Sequence, residues 1–428
     1  MNRCLLVLLT YLATYTAYPQ DLPRRSFLGI ETVKADGHIV VKSVSSESSA
    51  SIAGLLPGDQ VVEVNGQAVS DVSEIPELQR TFRAGTALRI SIMRNGVTLE
   101  KKANALPLPL QSNLDFDTLY RTVLVAGSRY RAILTKPKGS GRYPAVFLIG
   151  GLGCYSLDPL LPTSPYGHIV DSLTQDGFVT MRVDKSGEGD SEGPACTSDA
   201  ATLQMAAERS ITGIASLRNY NFVDSSHIYV FAHSLGPIEG ALVAGRVPIR
   251  GFIAAETIGK SWFDYQVEIA RTQLLLQGQS YTEVEAFART NLQCLALFYL
   301  QGLSEADVVK AQPDCRDDLP SQAGMPATYF RDIARVNLAE EWKRSDVPVL
   351  VTYGTSDPLT SQDESKYLVN MINSFHPGHA TYEEFDHMSH HFDQQPDKVQ
   401  ALRSLGDKHN GVYDASFVPR IEQWMRSI

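Results

Sequence analysis

Two rhythms of apolar and polar residues divide the chain. From about residue 22 to 105, short alternating runs are broken by turn residues. The run Ile39-Val-Val-Lys-Ser-Val alternates and is β-branched, which predicts a strand. Residues 48–55 predict a short helix ending at Gly54, and Pro57-Gly58-Asp59 predicts a turn. Val61-Val-Glu-Val-Asn-Gly predicts a strand closing at Asn65-Gly66, where both positions tolerate positive φ. Residues 72–82 predict a helix. Residues 88–94 predict a strand with a second hairpin turn at Asn95-Gly96. Residues 106–117, beginning Leu-Pro-Leu-Pro-Leu, predict a stiff extended linker.

The rhythm changes at about residue 118. Residues 119–125 and 130–135 predict a hairpin around Gly127-Ser128. Short, mostly apolar runs follow at 145–149, 178–183, 227–232, 252–255 and 347–353, and a last strand is predicted at 380–385. Apolar runs bounded by Gly and Asp suit parallel strands buried on both faces. Between about 258 and 342 the strand pattern stops. There Val267, Ala270, Leu274 and Leu275 follow helical spacing, which predicts a helical cap over the top of the sheet. The expected fold class is therefore α/β: a mostly parallel sheet with helices on both faces and a cap, over 118–428. A small α+β domain over 22–105 precedes it.

Composition narrows the function. With 43% apolar and 20% charged residues the chain has ordinary globular usage, which excludes general disorder. A net charge of −10 disfavours nucleic acid as a partner, because phosphate binding needs a basic field. Residues 1–17 read as an export signal: Arg3, an apolar run from Cys4 to Ala13, and a cut after Ala17. That run is too short to span a bilayer comfortably, so a secreted or periplasmic protein without an integral membrane span is expected. Beyond the signal lie Cys154, Cys196, Cys294 and Cys315. An even count in an exported chain suggests two disulfides. Three pairings are possible. Cys154–Cys196 and Cys294–Cys315 are favoured because each pair sits in one region. No C-x-x-C and no Cys/His cluster at zinc spacing occurs, so no metal and no cofactor is expected.

The strongest chemical signal is Ala232-His233-Ser234-Leu235-Gly236, directly after a predicted strand and before a predicted helix. Strand, sharp turn and helix with serine at the apex is the context of a nucleophile elbow. Ala232 departs from the usual G-x-S-x-G. Serine needs a base, and the base needs an orienting acid. Asp357, just past a buried strand, is the candidate acid; Asp363 and Glu364 lie farther from the strand end. The base comes from Phe385-Asp-His-Met-Ser-His-His-Phe. The M-S-H-H-F pattern selects His390, an A-D-H-type match selects His387, and His391 is the third choice. Zinc binding by these histidines lacks a supporting carboxylate spacing. The backbone N–H of Leu235, and that of Leu152 in Gly150-Gly-Leu-Gly, are the candidate oxyanion donors. His233 reads as a structural neighbour and His168 as a residue of the first helix. The turn Arg182-Val-Asp-Lys-Ser-Gly-Glu-Gly-Asp-Ser-Glu-Gly reads as structural.

These motifs resemble the α/β-hydrolases, and within them secreted bacterial esterases of the EstD type. The resemblance implies a cofactor-free serine hydrolase cleaving small carboxylic esters through an acyl-enzyme on Ser234, Asp357 and His390. An exported peptidase of the prolyl-oligopeptidase kind is an alternative reading. The string A-G-L-L-P-G-D-Q-V-V-E-V-N-G, followed by R-N-G, resembles a bacterial PDZ domain. That resemblance implies a carboxylate-binding loop at Phe27-Leu28-Gly29-Ile30 and a peptide C-terminus as partner. The remaining alternative is a non-catalytic, PDZ-led interaction protein.

Overall fold

The alternating first unit folds into an antiparallel sheet with two helices against it. The computed structural model describes residues 22–316, 319, 324–405 and 411–428, apart from the side chain of Pro76. The expected export signal lies outside the described residues. Strands Ile30–Ala35, His38–Val44, Gln60–Val64, Ala87–Arg94 and Val97–Asn104 lie side by side in that order, and Gln67–Ala68 pairs with the third. Both predicted Asn-Gly turns carry positive φ at Asn65 and Asn95. The short helix Ser49–Ala53 starts where Ser48 Oγ accepts from Ser51 N, and it ends at left-handed Gly54. Ile39, Val41, Val61, Ile90 and Ile92 fill this unit's own core.

Part of the predicted linker is not a free connector. Phe27 N donates to Leu106 O at 2.8 Å, and Leu108 N donates to Arg25 O at 2.9 Å. The segment satisfies backbone groups of the entering chain that would otherwise lack partners at this edge.

The larger unit contains eight strands in one sheet. They are β1 (Phe116–Val125), β2 (Ser128–Pro137), β3 (Tyr143–Ile149), β4 (Val179–Val183), β5 (Val223–His233), β6 (Gly251–Ala255), β7 (Val349–Gly354) and β8 (Ala380–Phe385). Their spatial order is β1-β2-β4-β3-β5-β6-β7-β8. β2 runs antiparallel to both β1 and β4, and the remaining pairings are parallel. The strand pleat feeds two cores. From β3, Ala145, Phe147 and Ile149 join one, while Val146 and Leu148 join the other. The order reverses between β3 and β4, so the crevice at the carboxyl ends of β3 and β5 is the natural ligand site.

Between β6 and β7 the chain forms helices Trp262–Leu276, Tyr281–Leu295, Glu305–Ala311, Ala327–Arg335 and Leu338–Arg344. This is the region where helical spacing replaced the strand pattern. Disulfides join Cys154 to Cys196 and Cys294 to Cys315, the pairing the sequence favours. The second ties helix Tyr281–Leu295 to the turn at Pro313–Cys315.

The two units meet through buried charge. The Arg24 guanidinium bonds Asp158 and Asp190, and Arg25 N donates to Asp190 Oδ1 at 2.8 Å. Arg131 bonds the same Asp190 and also donates to Leu22 O at 2.7 Å. Tyr120 OH donates to Asp158 Oδ1 at 2.6 Å. The first unit thus rests on the loops that follow β3 and β4, which border the crevice.

Candidate active site

β5 ends at His233, and helix Gly236–Ala244 begins two residues after Ser234. Ser234 has φ +62°, which places its side chain at the apex of the bend. Such a conformation costs a non-glycine residue about 1–3 kcal/mol and persists only when its surroundings fix it. Here Ser234 N donates to Ala255 O at 2.9 Å, and Ser234 O accepts from Thr257 Oγ1 at 2.7 Å. Ala232 is still within the strand, opposite Ile149 and Ala254, and has no positive φ. Alanine therefore replaces glycine there without strain. Two glycines sit where a Cβ would be crowded. A Cβ on Gly236 would lie 2.7 Å from Ile149 O, and one on Gly151 would lie 3.0 Å from Ser234 Cβ.

Asp357 follows β7 and is fully buried. Its Oδ1 accepts from Leu359 N at 2.6 Å and Thr360 N at 3.1 Å, which fixes the carboxylate in the turn. His390 lies in the loop after β8. Its Nδ1 is 2.8 Å from Asp357 Oδ2, and its Nε2 is 2.9 Å from Ser234 Oγ. Residues from three distant stretches thus form one continuous line of hydrogen bonds. Burial pushes the Asp357 carboxyl up, but His390 and Thr360 outweigh it, so Asp357 stays below the usual carboxylate range and is ionised.

The other candidates sit elsewhere. His387 is exposed and its Nδ1 bonds Pro396 O at 3.0 Å. His391 lines the cavity with its ring 5.6 Å from that of His390. Asp363 and Glu364 open helix Gln362–Phe375. Glu364 accepts from Gly259 N and Lys260 N, so it anchors the start of the cap instead of meeting His390. His168 lies in helix Pro165–Gln175, stacked on Tyr413. His233 accepts from Tyr166 OH at Nδ1 (2.7 Å) and donates from Nε2 to His390 O (2.9 Å). Burial, then the neighbouring His390 and His391, push His233 well below the usual histidine range, so it is neutral. Tyr166 OH also accepts from Gly151 N at 3.1 Å. His233 therefore links the loop of His390 to the glycine turn beside Ser234.

Two participants escaped the sequence reading. Lys185, in the turn read as structural, donates from Nζ to Gly151 O and Gly153 O, both at 2.6 Å. It holds the glycine turn from behind. Burial, and then Arg209, pull Lys185 down to about 7. Glu256 follows β6 with φ +47°, is fully buried, and accepts from Gly354 N at 2.8 Å and Thr352 Oγ1 at 3.2 Å. Burial and then the Asp357 charge push Glu256 well above the carboxylate range. Both causes favour the neutral form of Glu256. Neither residue carries a motif; each is recognisable only once β4, β6 and β7 are aligned.

Asp184 supports the loop at the cavity edge. It accepts from Ser156 Oγ at 2.8 Å and Leu157 N at 2.7 Å, and burial pushes it up to about 7. A folded-state value above the unfolded one means stability is fully present below about pH 4 and is lost as pH rises through about 7. The stability difference between the native protein and Asp184→Asn should therefore shift against the native protein from pH 4 to pH 7. Urea midpoints across that range check it; a difference independent of pH contradicts it.

Above Ser234 opens a cavity of about 760 Å³. Leu152, Leu235, Ile258, Trp262, Tyr265 and Phe330 supply its apolar walls. The first unit also shows its candidate loop. Gly29 has φ +73°, and a Cβ there would lie 2.2 Å from Ser48 Cβ. Leu28 is buried in that unit's core, and Ile30 starts the edge strand. The Phe27 N–H is already used by Leu106 O.

A sheet of this strand order, with a buried serine–histidine–aspartate line at the carboxyl ends of its strands, defines an α/β-hydrolase. No helix among the described residues is long and apolar enough to cross a membrane. The chain belongs to the serine aminopeptidase S33 family, whose model matches residues 163–395, and a PDZ domain model matches residues 26–104. Esterase EstD of Thermotoga maritima is 22% identical over 302 residues, covering 68% of this chain and 64% of that relative. The chain thus spans less than two thirds of that relative's length. A ferulic acid complex of Est1E from Butyrivibrio proteoclasticus is 18% identical with a TM-score of 0.46, covering 72% of this chain and 99% of the other. An acetyl xylan esterase from Paenibacillus sp. R4 is 12% identical with a TM-score of 0.46, covering 75% and 86%.

Proposed function

We propose that the chain hydrolyses carboxylic esters through an acyl-enzyme on Ser234. The observation that carries the reading is the line Asp357–His390–Ser234 opening onto an apolar cavity. Ser234 Oγ attacks the ester carbonyl carbon while His390 Nε2 takes its proton. The oxyanion formed is held by the N–H groups of Leu235 and Leu152. The carbon–oxygen bond to the alcohol then breaks, and His390 returns the proton to the departing oxygen. Water attacks the acyl-enzyme, losing a proton to His390, and Ser234 is restored as the acid leaves. Asp357 keeps the His390 ring oriented and stabilises its cation.

The family's description favours a second reading, an aminopeptidase. That reaction needs a carboxylate to pair with the substrate ammonium, because an unpaired buried charge is costly. Among the described residues lining the cavity, the only carboxyl is Glu256, whose charged form burial disfavours and whose oxygens accept from Gly354 and Thr352. The ester reading is therefore preferred. Purified protein assayed on p-nitrophenyl esters and on aminoacyl p-nitroanilides decides between them. Turnover of the esters is expected; turnover of the anilides alone would overturn the reading.

Lys185→Met tests the support behind the oxyanion turn. It should lower kcat by about 10–100-fold with KM little changed, less than the 10²–10³-fold typical of losing a donor outright. Equal kcat in the variant would remove Lys185 from the account. The PDZ unit is read as taking a peptide carboxylate at the Leu28–Ile30 turn, with the peptide added beside the free edge of Ile30–Ala35. An exported, oxidising location agrees with the two disulfides.

A further inference from the structure

At the end of the sheet opposite the cavity, three side chains converge that the hydrolytic reading does not use. Asp346 follows helix Leu338–Arg344 and precedes β7. His376 ends helix Gln362–Phe375. Gly378, at φ +80°, turns the chain so that His379 returns immediately before β8. The turn is pinned: His379 N donates to His376 O at 3.0 Å, and Val349 N donates to His379 O at 2.8 Å.

We propose that Asp346, His376 and His379 form a binding site for a divalent transition-metal ion of the zinc type. One ligand atom from each residue lies within 4.8 Å of the others. Asp346 Oδ1 is 3.6 Å from His376 Nδ1 and 3.3 Å from His379 Nδ1. Ligands at about 2.0–2.2 Å around a tetrahedral ion are separated by roughly 3.3–3.6 Å, which the two Asp346–histidine distances match.

Two further observations point the same way. His376 Nε2 is 3.1 Å from Lys343 O. Donation to that carbonyl puts the proton on Nε2 and leaves the Nδ1 lone pair facing Asp346, as metal-bound imidazoles are commonly arranged. His379 Nδ1 is buried and makes no hydrogen bond, with Asp346 Oδ1 3.3 Å away as its polar neighbour in the same space. The Asp346 side chain is 80% exposed, so an ion can enter and water can complete its shell. Two imidazoles and one carboxylate suit Zn²⁺, Ni²⁺ or Cu²⁺ better than Mg²⁺ or Ca²⁺. The other grouping of ligand types, Cys154, Glu188 and Cys196, is unsuitable because its two sulfurs are bonded to each other. A metal here would clamp the entries to β7 and β8, the strands that carry Asp357 and His390 at their far ends.

The test is calorimetric titration of the full chain with Zn²⁺ after removal of metals by chelator, repeated with Co²⁺ to read coordination by absorption. One site of micromolar affinity and a tetrahedral Co²⁺ spectrum are expected. Partners that merely support a ligand are worth about 10–100-fold in affinity, so Asp346→Asn and His376→Ala/His379→Ala should each lose at least that much. Asp346→Asn changes an exposed side chain, so it reports on binding without disturbing the fold, and its ester hydrolysis should equal that of the parent. Absence of Zn²⁺ binding overturns the proposal. So does binding that survives in both variants.

Discussion

Ser234→Ala is expected to lower kcat on a short-chain aryl ester by about 10⁵–10⁶-fold, the loss seen when a serine nucleophile is removed from an assembled triad. The effect is this large because no other nucleophile lies on the hydrogen-bonded line: His390 Nε2 has Ser234 Oγ as its partner at 2.9 Å. The fold should survive, because the bend is held by backbone bonds to Ala255 and from Thr257 that alanine leaves in place. Alanine at φ +62° is no worse sterically than serine. A thermal midpoint near that of the parent, together with the lost rate, separates chemistry from misfolding. Turnover within tenfold of the parent would remove Ser234 from the mechanism.

Asp357→Asn is expected to cost about 10⁴-fold in kcat with a smaller change in KM, because an amide favours the wrong tautomer of the imidazole. In this protein the loss has an internal control. Burial and the Asp357 charge favour a neutral Glu256, so Glu256→Gln keeps a neutral side chain there and should change kcat by less than about threefold. The two carboxyl groups share one buried site from which only one charge can be accommodated. Asp357→Ala removes that charge and lets Glu256 ionise more readily. The single variant should therefore retain more activity than Asp357→Ala/Glu256→Gln. Equal activity of these two variants would show that Glu256 contributes nothing to orienting His390.

Much of this arrangement is legible in the sequence. Apolar runs marked the parallel strands because burial on both faces favours apolar residues. The cap was visible as the stretch where Val267 and Leu274 changed to helical spacing, and the observed helix Trp262–Leu276 contains both. Ser234 and Asp357 were readable because each follows directly on a buried strand. The choice between His390 and His387 was not settled by spacing. It depends on how the loop after β8 turns, with positive φ at His387 and Phe392. Lys185 and Glu256 were invisible for a different reason. Their partners, Gly151 and Gly354, lie 34 and 98 residues away in the chain, and no local pattern encodes such a pairing. The segment after residue 105 reads as a spacer because its Leu-Pro alternation is extended. It is extended, but residues 106 and 108 pair with residues 27 and 25. The Asp346–His376–His379 grouping likewise joins two strand entries that are distant in sequence.

On the proposed mechanism, His390 activates Ser234 Oγ at the base of the cavity. Treatment of the purified chain with a fluorophosphonate, followed by peptide mass mapping, tests it most directly. One adduct per chain is expected, on the peptide containing Ser234, and it should fall to background in His390→Ala. An unreactive protein, an adduct on another residue, or undiminished labelling in His390→Ala would contradict the account.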